Sequence, residues 1–292
     1  MKRLEGKIAV VTGASRGAGR GIALSLGEEG ATVYVTGRSV RGDSTRPDLE
    51  GATVNDTAER VTARGGMGVP ARCDHTVDEQ VAALFERVRK EQGRLDLLVN
   101  NVWGGYEDYG SGEDFDRPFW EQPLIRWDRM FAAGVRAHFT ASRHAAAMMI
   151  PNRQGLIVNT TFWDRDKALG SLPYDVAKNA INRLAYNMAL ELRGYGIAAI
   201  AVSPGWMRTE AVLHQFGLPI DDSVRNLPPE LERTESVFYV GHAVAALACD
   251  PDVLRKSGNV FPVGDLAREY GFTDVDGSQP RTYFMSEEHL RD

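Results

Sequence analysis

Short runs of apolar, largely β-branched residues recur along the chain, and each is followed by a stretch whose apolar positions fall at helical spacing. The first run, residues 7–12 (KIAVVT), ends in a glycine turn and leads into a helical stretch through Ile22, Leu24 and Leu26. The same pattern predicts further strands at 32–36, 67–73, 95–99, 156–160, 197–202 and 259–263, and helices at 54–63, 77–91, 127–149, 174–193 and 235–249. These strands read as continuously apolar rather than alternating, as strands of a parallel sheet with helices on both faces do. The expectation is an α/β fold, a Rossmann-like doubly wound parallel sheet of about seven strands, in one domain spanning 1–292.

Three segments break the rhythm: 103–121, 162–173 and 205–234. Each follows the carboxyl end of a strand, the edge where open α/β sheets bind ligands, so they are the expected substrate walls. Residues 265–292 form a C-terminal extension.

Composition narrows the classes of function. A chain of 292 residues with 43% hydrophobic content can bury a substantial core. Its formal charge of -6, mixed in sign, gives no electrostatic case for nucleic acid or an anionic membrane, which leaves a small organic molecule as the expected partner. Cys73 and Cys249 lack metal-type spacing and point to a reducing, cytoplasmic compartment. The apolar run 8–11 is too short for a secretory signal or a membrane span. The six histidines show no HExxH or Cys-His spacing, so no metal site is expected.

Residues 12–19 (TGASRGAG) place Gly13, Gly17 and Gly19 after a strand and at the opening of a helix. There the chain can turn tightly, and free backbone N–H groups together with the helix dipole favour a pyrophosphate. The segment lacks the Gly-Lys-Ser/Thr ending of a triphosphate loop, which disfavours ATP or GTP. The second strand ends at Gly37-Arg38, with no acidic residue to accept from a ribose 2′-OH. Arg38 and Arg16 can instead pair with the 2′-phosphate of NADP, so NADP(H) is preferred and NAD(H) ranks second.

Tyr174 and Lys178 lie four residues apart, on one face of a helix that Pro173 helps to start. A neighbouring ammonium favours the phenolate, so Lys178 is expected to tune Tyr174 as an acid-base group. A hydroxyl at Thr161 precedes the tyrosine by 13 residues.

With these motifs in place the chain resembles the short-chain dehydrogenase/reductase family over nearly its whole length. The resemblance implies that Gly13, Ser15, Gly17 and Gly19 belong to the cofactor turn and that Asp74 contacts adenine. It also implies that Asn100 and Val102 contribute through an NNAG-like element written here as NNVWG. Tyr174 and Lys178 match the catalytic pair, Lys178 also holding the nicotinamide ribose. Pro204, Gly205 and Thr209 match a PGxxxT segment, with Thr209 near the carboxamide. Two positions depart from the family pattern. Thr161 stands where a substrate-orienting serine is expected, keeping the hydroxyl and adding a methyl. Gly134 stands where a helix asparagine supports a water relay to the lysine, keeping the carbonyl without the side chain. Gly134 and the sequence 265–277 also resemble a narrower subgroup typified by dehydrogenase/reductase SDR family member 1, expected to reduce carbonyls with NADPH.

The predicted substrate walls carry Trp103, Tyr106, Tyr109, Phe115, Phe119, Trp120, Phe162, Trp163, Trp206 and Phe216, which suits a bulky or ring-containing carbonyl compound or its alcohol. Asp164, Arg165, Asp166 and Lys167 read as a solvated cluster. The helices at 127–149 and 174–193 resemble the pair through which the family forms homodimers and homotetramers. Two other functions stay open: a catalytically impaired dinucleotide-binding sensor or scaffold, motivated by Gly134 and Thr161, and an enoyl reductase, whose relatives space Tyr and Lys more widely.

Overall fold

The computed structural model describes residues 2–106, 115, 117–165, 167, 170–220 and 227–284. Strand β1 (Ile8–Val11) leads into α1 (Gly17–Glu28), β2 (Thr32–Gly37) into α2 (Val54–Ala63), and β3 (Met67–Arg72) into α3 (Asp78–Gln92). Next come β4 (Leu97–Asn100), α4 (Leu124–Arg129), a π-helical segment (Met130–Arg136), α5 (Ala137–Met149), β5 (Gly155–Thr160) and α6 (Leu172–Leu192). Strand β6 (Ile197–Ser203) is followed by β7 (Met207–Arg208), α7 (Glu210–Gln215), β8 (Glu235–Ser236), α8 (Val237–Cys249), β9 (Val260–Pro262) and α9 (Val263–Tyr270).

The main sheet has seven parallel strands in the order β3-β2-β1-β4-β5-β6-β9, as the apolar runs predicted. The chain builds outward from β1 to β3, then returns to pair β4 on the other side of β1. This reversal makes a crevice beyond the carboxyl ends of β1 and β4. Both strands are buried along their full length because helices cover both faces. Val10, Val11, Val33, Val35 and Val99 are fully buried, each contributing about 1.5–3 kcal/mol relative to exposure. Helix α8 (VFYVGHAVAALAC) is apolar nearly all round and accordingly lies buried, with Val237, Val240 and Val244 in the same core as Ile22 and Leu26 of α1.

Three details differ from the sequence expectation. β3 is an edge strand: Met67 is exposed, and Pro70, which has no N–H for a ladder, is tolerated there. The helix expected at 127–149 is broken by the π-helical segment. The segment 205–234 is not a bare loop, because β7 and β8 pair into a small parallel ribbon and α7 lies between them. The extension begins inside α9 and then returns over α8. There the Tyr239 hydroxyl donates to the Pro280 carbonyl at 3.1 Å, and Asp274 accepts from the Ser236 amide at 2.8 Å.

Candidate active site

The carboxyl edge of the sheet opens on a cleft of about 750 Å³. The glycine turn lies at its base. Gly13 and Gly17 adopt left-handed backbone angles (φ 64° and 58°), and a Cβ on Gly19 would overlap the Gly13 carbonyl oxygen and the Asn101 amide. A Cβ on Gly17 would meet only Thr209 within 4 Å and would take up cleft space that a phosphate needs. The turn is held from behind by Asn101, whose side-chain amide donates to the carbonyls of Thr12 and Gly13, each at 3.1 Å. A second brace is Glu210, which accepts from the Gly17 amide at 2.6 Å and pairs with buried Arg20 at 3.1 Å. Glu210 did not stand out in the sequence, and Asn101 was marked there only as the second residue of the NNVWG element. The amides of Ala18 and Gly19, in the first turn of α1, have no acceptor within the helix and remain suited to an anion.

Around the end of β2, Ser15, Arg16, Gly37 and Arg38 line the cleft. Burial lowers the Arg16 pKa, and repulsion from Arg46 and Arg38 lowers it further, so three guanidinium groups share this end. Arg46 is paired with Asp48 at 2.8 Å. Asp74 also lines the cleft; burial works against its carboxylate, but bonds from the Thr76 amide (3.0 Å) and hydroxyl (2.7 Å) hold its pKa below the usual range. Val102 faces the cleft, whereas the Asn100 side chain is turned into the sheet and donates to Ser142 and Asn159, each at 2.8 Å.

At the opposite end, α6 starts at Leu172 with Pro173 in its first turn, which sets Tyr174 at the cleft and Lys178 one turn behind it. Trp103 meets the Tyr174 ring edge-on (5.6 Å, 82°), Phe115 does so at 5.5 Å, and Tyr106 and Phe162 each lie 6.4 Å away. The Lys178 ammonium rests over the Trp103 ring, 3.6 Å from its centroid. Burial pushes Lys178 down to about 7 and raises Tyr174 above its ordinary value, while a hydrogen bond with Tyr106 pulls the phenol down. Desolvation, and not the expected lowering by Lys178, thus governs the phenol, and both groups shift toward their neutral forms.

Thr161 lines the cleft, but its hydroxyl donates to the Lys178 carbonyl at 3.1 Å and fastens the end of β5 to α6. Pro204, Gly205 and Thr209 form the wall opposite. The Gly205 amide donates to Glu235 at 3.0 Å; burial raises this carboxyl to about 8, and Asp274 adds to the rise. Behind this wall, Tyr283 of the extension packs on Phe162 at 6.0 Å. Of the remaining predicted wall aromatics, Phe119, Trp120, Trp206 and Phe216 are exposed, Trp163 is half-buried, and Tyr109 lies outside the described residues. The charged cluster differs from expectation at Asp164, which is buried; Arg165, over the Phe284 ring at 4.5 Å, and Lys167 are exposed as expected, while Asp166, like His289, lies outside the described residues.

Among the described residues no group of three or more His, Cys, Asp or Glu could hold a metal ion, and no helix is long and apolar enough to cross a membrane.

A parallel sheet in this order, a glycine turn under its crevice and a Tyr-Lys pair one helical turn apart define a dinucleotide-linked oxidoreductase of the Rossmann type. Residues 7–216 match the short chain dehydrogenase model, and the chain belongs to that family. It is 39% identical over 285 residues to dehydrogenase/reductase SDR family member 1 of Mus musculus, covering 96% of this chain and 87% of the relative, which bears out the subgroup likeness. Among solved structures, a short chain dehydrogenase from Mycobacterium thermoresistibile superposes with a TM-score of 0.80 at 25% identity, covering 97% of this chain and 96% of that one. A 7α-hydroxysteroid dehydrogenase solved with NADH and 7-oxo glycochenodeoxycholic acid superposes with a TM-score of 0.70, also at 25% identity, covering 95% and 96%.

Proposed function

We propose that the chain is an NADP(H)-dependent carbonyl reductase, reversible as an alcohol dehydrogenase, acting on an apolar or ring-containing compound with Tyr174 as acid-base group and Lys178 as its partner. One observation carries this reading. A single cleft joins a cluster of arginines at the end of β2 to a Tyr-Lys pair enclosed by aromatic rings.

The residues present fit a dinucleotide. The glycine turn leaves room for pyrophosphate against α1, and Asp74, which lines the same cleft, is available to an adenine. Arg16 and Arg38 offer the 2′-phosphate a dianion's natural counter-charge, relieving the repulsion between them. Lys178 and Thr209 would hold the nicotinamide ribose and carboxamide. When bound there, a nicotinamide dinucleotide would supply the hydride chemistry at the substrate's carbonyl carbon. Tyr174 delivers a proton to the carbonyl oxygen, and its raised pKa keeps the phenol protonated and ready for the reducing direction. The Trp103, Tyr106, Phe115 and Phe162 rings exclude water around it and favour flat, apolar substrates. A ring-bearing oxo substrate in the hydroxysteroid dehydrogenase neighbour agrees with this class, although that structure holds NADH. The unpaired Cys73 and Cys249 support a cytoplasmic setting, and we place the enzyme there as a homodimer or homotetramer.

A second reading, a catalytically impaired dinucleotide-binding sensor, is favoured by the Thr161 hydroxyl, whose proton is committed to Lys178 rather than to the cleft. One experiment separates the two: NADPH consumption, followed by absorbance, with a panel of apolar ketones, quinones and steroids. The wild type should turn over at least one of them, and Tyr174→Phe should lose roughly 10²- to 10⁴-fold in kcat while still binding NADPH. NADPH binding without turnover in either protein would leave the sensor standing.

A further inference from the structure

Gly134 lies in the π-helical segment with its Cα facing the Trp103 indole. A Cβ there would fall 2.5 Å and 2.8 Å from two carbons of the six-membered ring, a separation that real Cβ atoms do not show. Any larger residue at 134 would therefore displace the indole. The same indole holds the Lys178 ammonium 3.6 Å from its centroid and meets the Tyr174 ring edge-on. Its own N–H finds no partner among the described residues, so the ring is placed by packing against Gly134, Tyr106 and Tyr174 and by the cation above it. The pairing of Gly134 with Trp103 thus explains both departures in this part of the chain, the lost helix asparagine and the NNVWG spelling.

From this arrangement we infer that Trp103 is a positioning residue for Lys178. Its π-face seats the ammonium in the desolvated cleft, and Gly134 is small in order to admit it. The inference deepens the reductase reading and rests on it. A cation over an aromatic face is attracted by the ring quadrupole, most strongly where water is excluded, and Lys178 is buried. The titratable groups facing Lys178 are Tyr174 on its own helix and His138 on α5. Burial, helped by the lysine's charge, pushes His138 down to about 3, so it stays neutral and sets no second cation beside the ammonium. The Trp103 face, nearer to the ammonium than the Tyr174 ring at 5.4 Å, then opposes the desolvation that lowers the lysine's pKa.

The test uses the full chain with NADPH and whichever ketone the wild type reduces. Trp103→Leu should lower kcat on the order of tenfold and should move the alkaline limb of the kcat profile about one pH unit toward acid. Trp103→Phe, which keeps a π-face, should recover most of both effects, and Gly134→Ala should reproduce the Leu variant by pushing the indole aside. An independent readout is the ¹H shift of the Lys178 ε-methylene in labelled protein, assigned with Lys178→Met. The ring current should move it upfield, and Trp103→Leu should return it to the ordinary lysine position. An unshifted wild-type methylene, or a Trp103→Leu enzyme with unchanged kcat and pH profile, overturns the inference, and so does a folded Trp103→Phe as impaired as Leu. If Tyr174→Phe keeps full turnover, the underlying reading fails instead; if Tyr174→Phe is dead and Trp103→Leu is unaffected, only this inference fails.

Discussion

At the scale of single residues, the cleft assigns charge more clearly than it assigns hydrogen-bond donors. The Thr161 hydroxyl has one proton to give, and in this structure its nearer acceptor is the Lys178 carbonyl at 3.1 Å, ahead of the Phe162 carbonyl at 3.4 Å. To orient a substrate oxygen it must release that bond. The arginines at the end of β2 have no such conflict. Arg38 is exposed at the cleft, Arg16 is destabilised by burial and by its cationic neighbours, and an added anion is the simplest relief. Arg38→Asp replaces a donor for the 2′-phosphate with a carboxylate that repels it and that can accept from a free ribose hydroxyl. It should raise KM for NADPH by about tenfold or more while leaving KM for NADH unchanged or lower. Equal effects on the two cofactors in steady-state kinetics would show that the arginine does not read the 2′-phosphate.

Among the elements, the small β7–β8 ribbon ties the PGxxxT wall to the C-terminal extension, and Glu235 is the knot. Its carboxyl accepts from Gly205, lies near Asp274 and Arg208, and is raised to about 8 from an ordinary 4.5. A folded-state pKa above the unfolded one means that the native protein binds more protons between these values. Glu235 therefore costs stability progressively as pH rises from 4.5 to about 8, and the cost stays constant beyond. Glu235→Gln keeps an acceptor for Gly205 and removes the titration. It should be more stable than the wild type by roughly 1–3 kcal/mol at pH near 9, with the gain gone near pH 4. Parallel Tm-against-pH curves for the two proteins would sink this assignment. Such a device could not be read from sequence, since Glu235 looked like the first residue of a helix and the extension like a tail. What was legible had a local signature: apolar runs for the strands, glycines before α1, and Tyr174 and Lys178 on one helical face. The edge position of β3, the π-helical segment, the inward turn of Asn100 and the Trp103–Gly134 fit depend on neighbours distant in the chain, which periodicity does not encode.

For the molecule as a whole, the question left by the fold is what covers the outer face of α6. Leu172, Val176, Tyr186 and Leu190 are all 40% exposed or more, and their numbers fall on one stripe that continues through Asn179 and Arg183 at alternating steps of four and three. Phe139 on α5, a helix that contacts α6, is 54% exposed. Single exposed apolar residues are ordinary, but a stripe running most of the length of a 21-residue helix is the kind of surface that assembly buries. Around a two-fold axis each side chain is presented twice, so one substitution puts two like charges into the same interface. Leu190→Asp combined with Phe139→Asp should therefore dissociate the assembly. The expected result in sedimentation is a wild-type species at a whole multiple of 32.1 kDa and a variant at 32.1 kDa itself, with the variant's Tm reduced because the exposed stripe has lost its cover. A wild-type chain that sediments as a single 32.1 kDa species at working concentration would mean that the stripe has no partner copy.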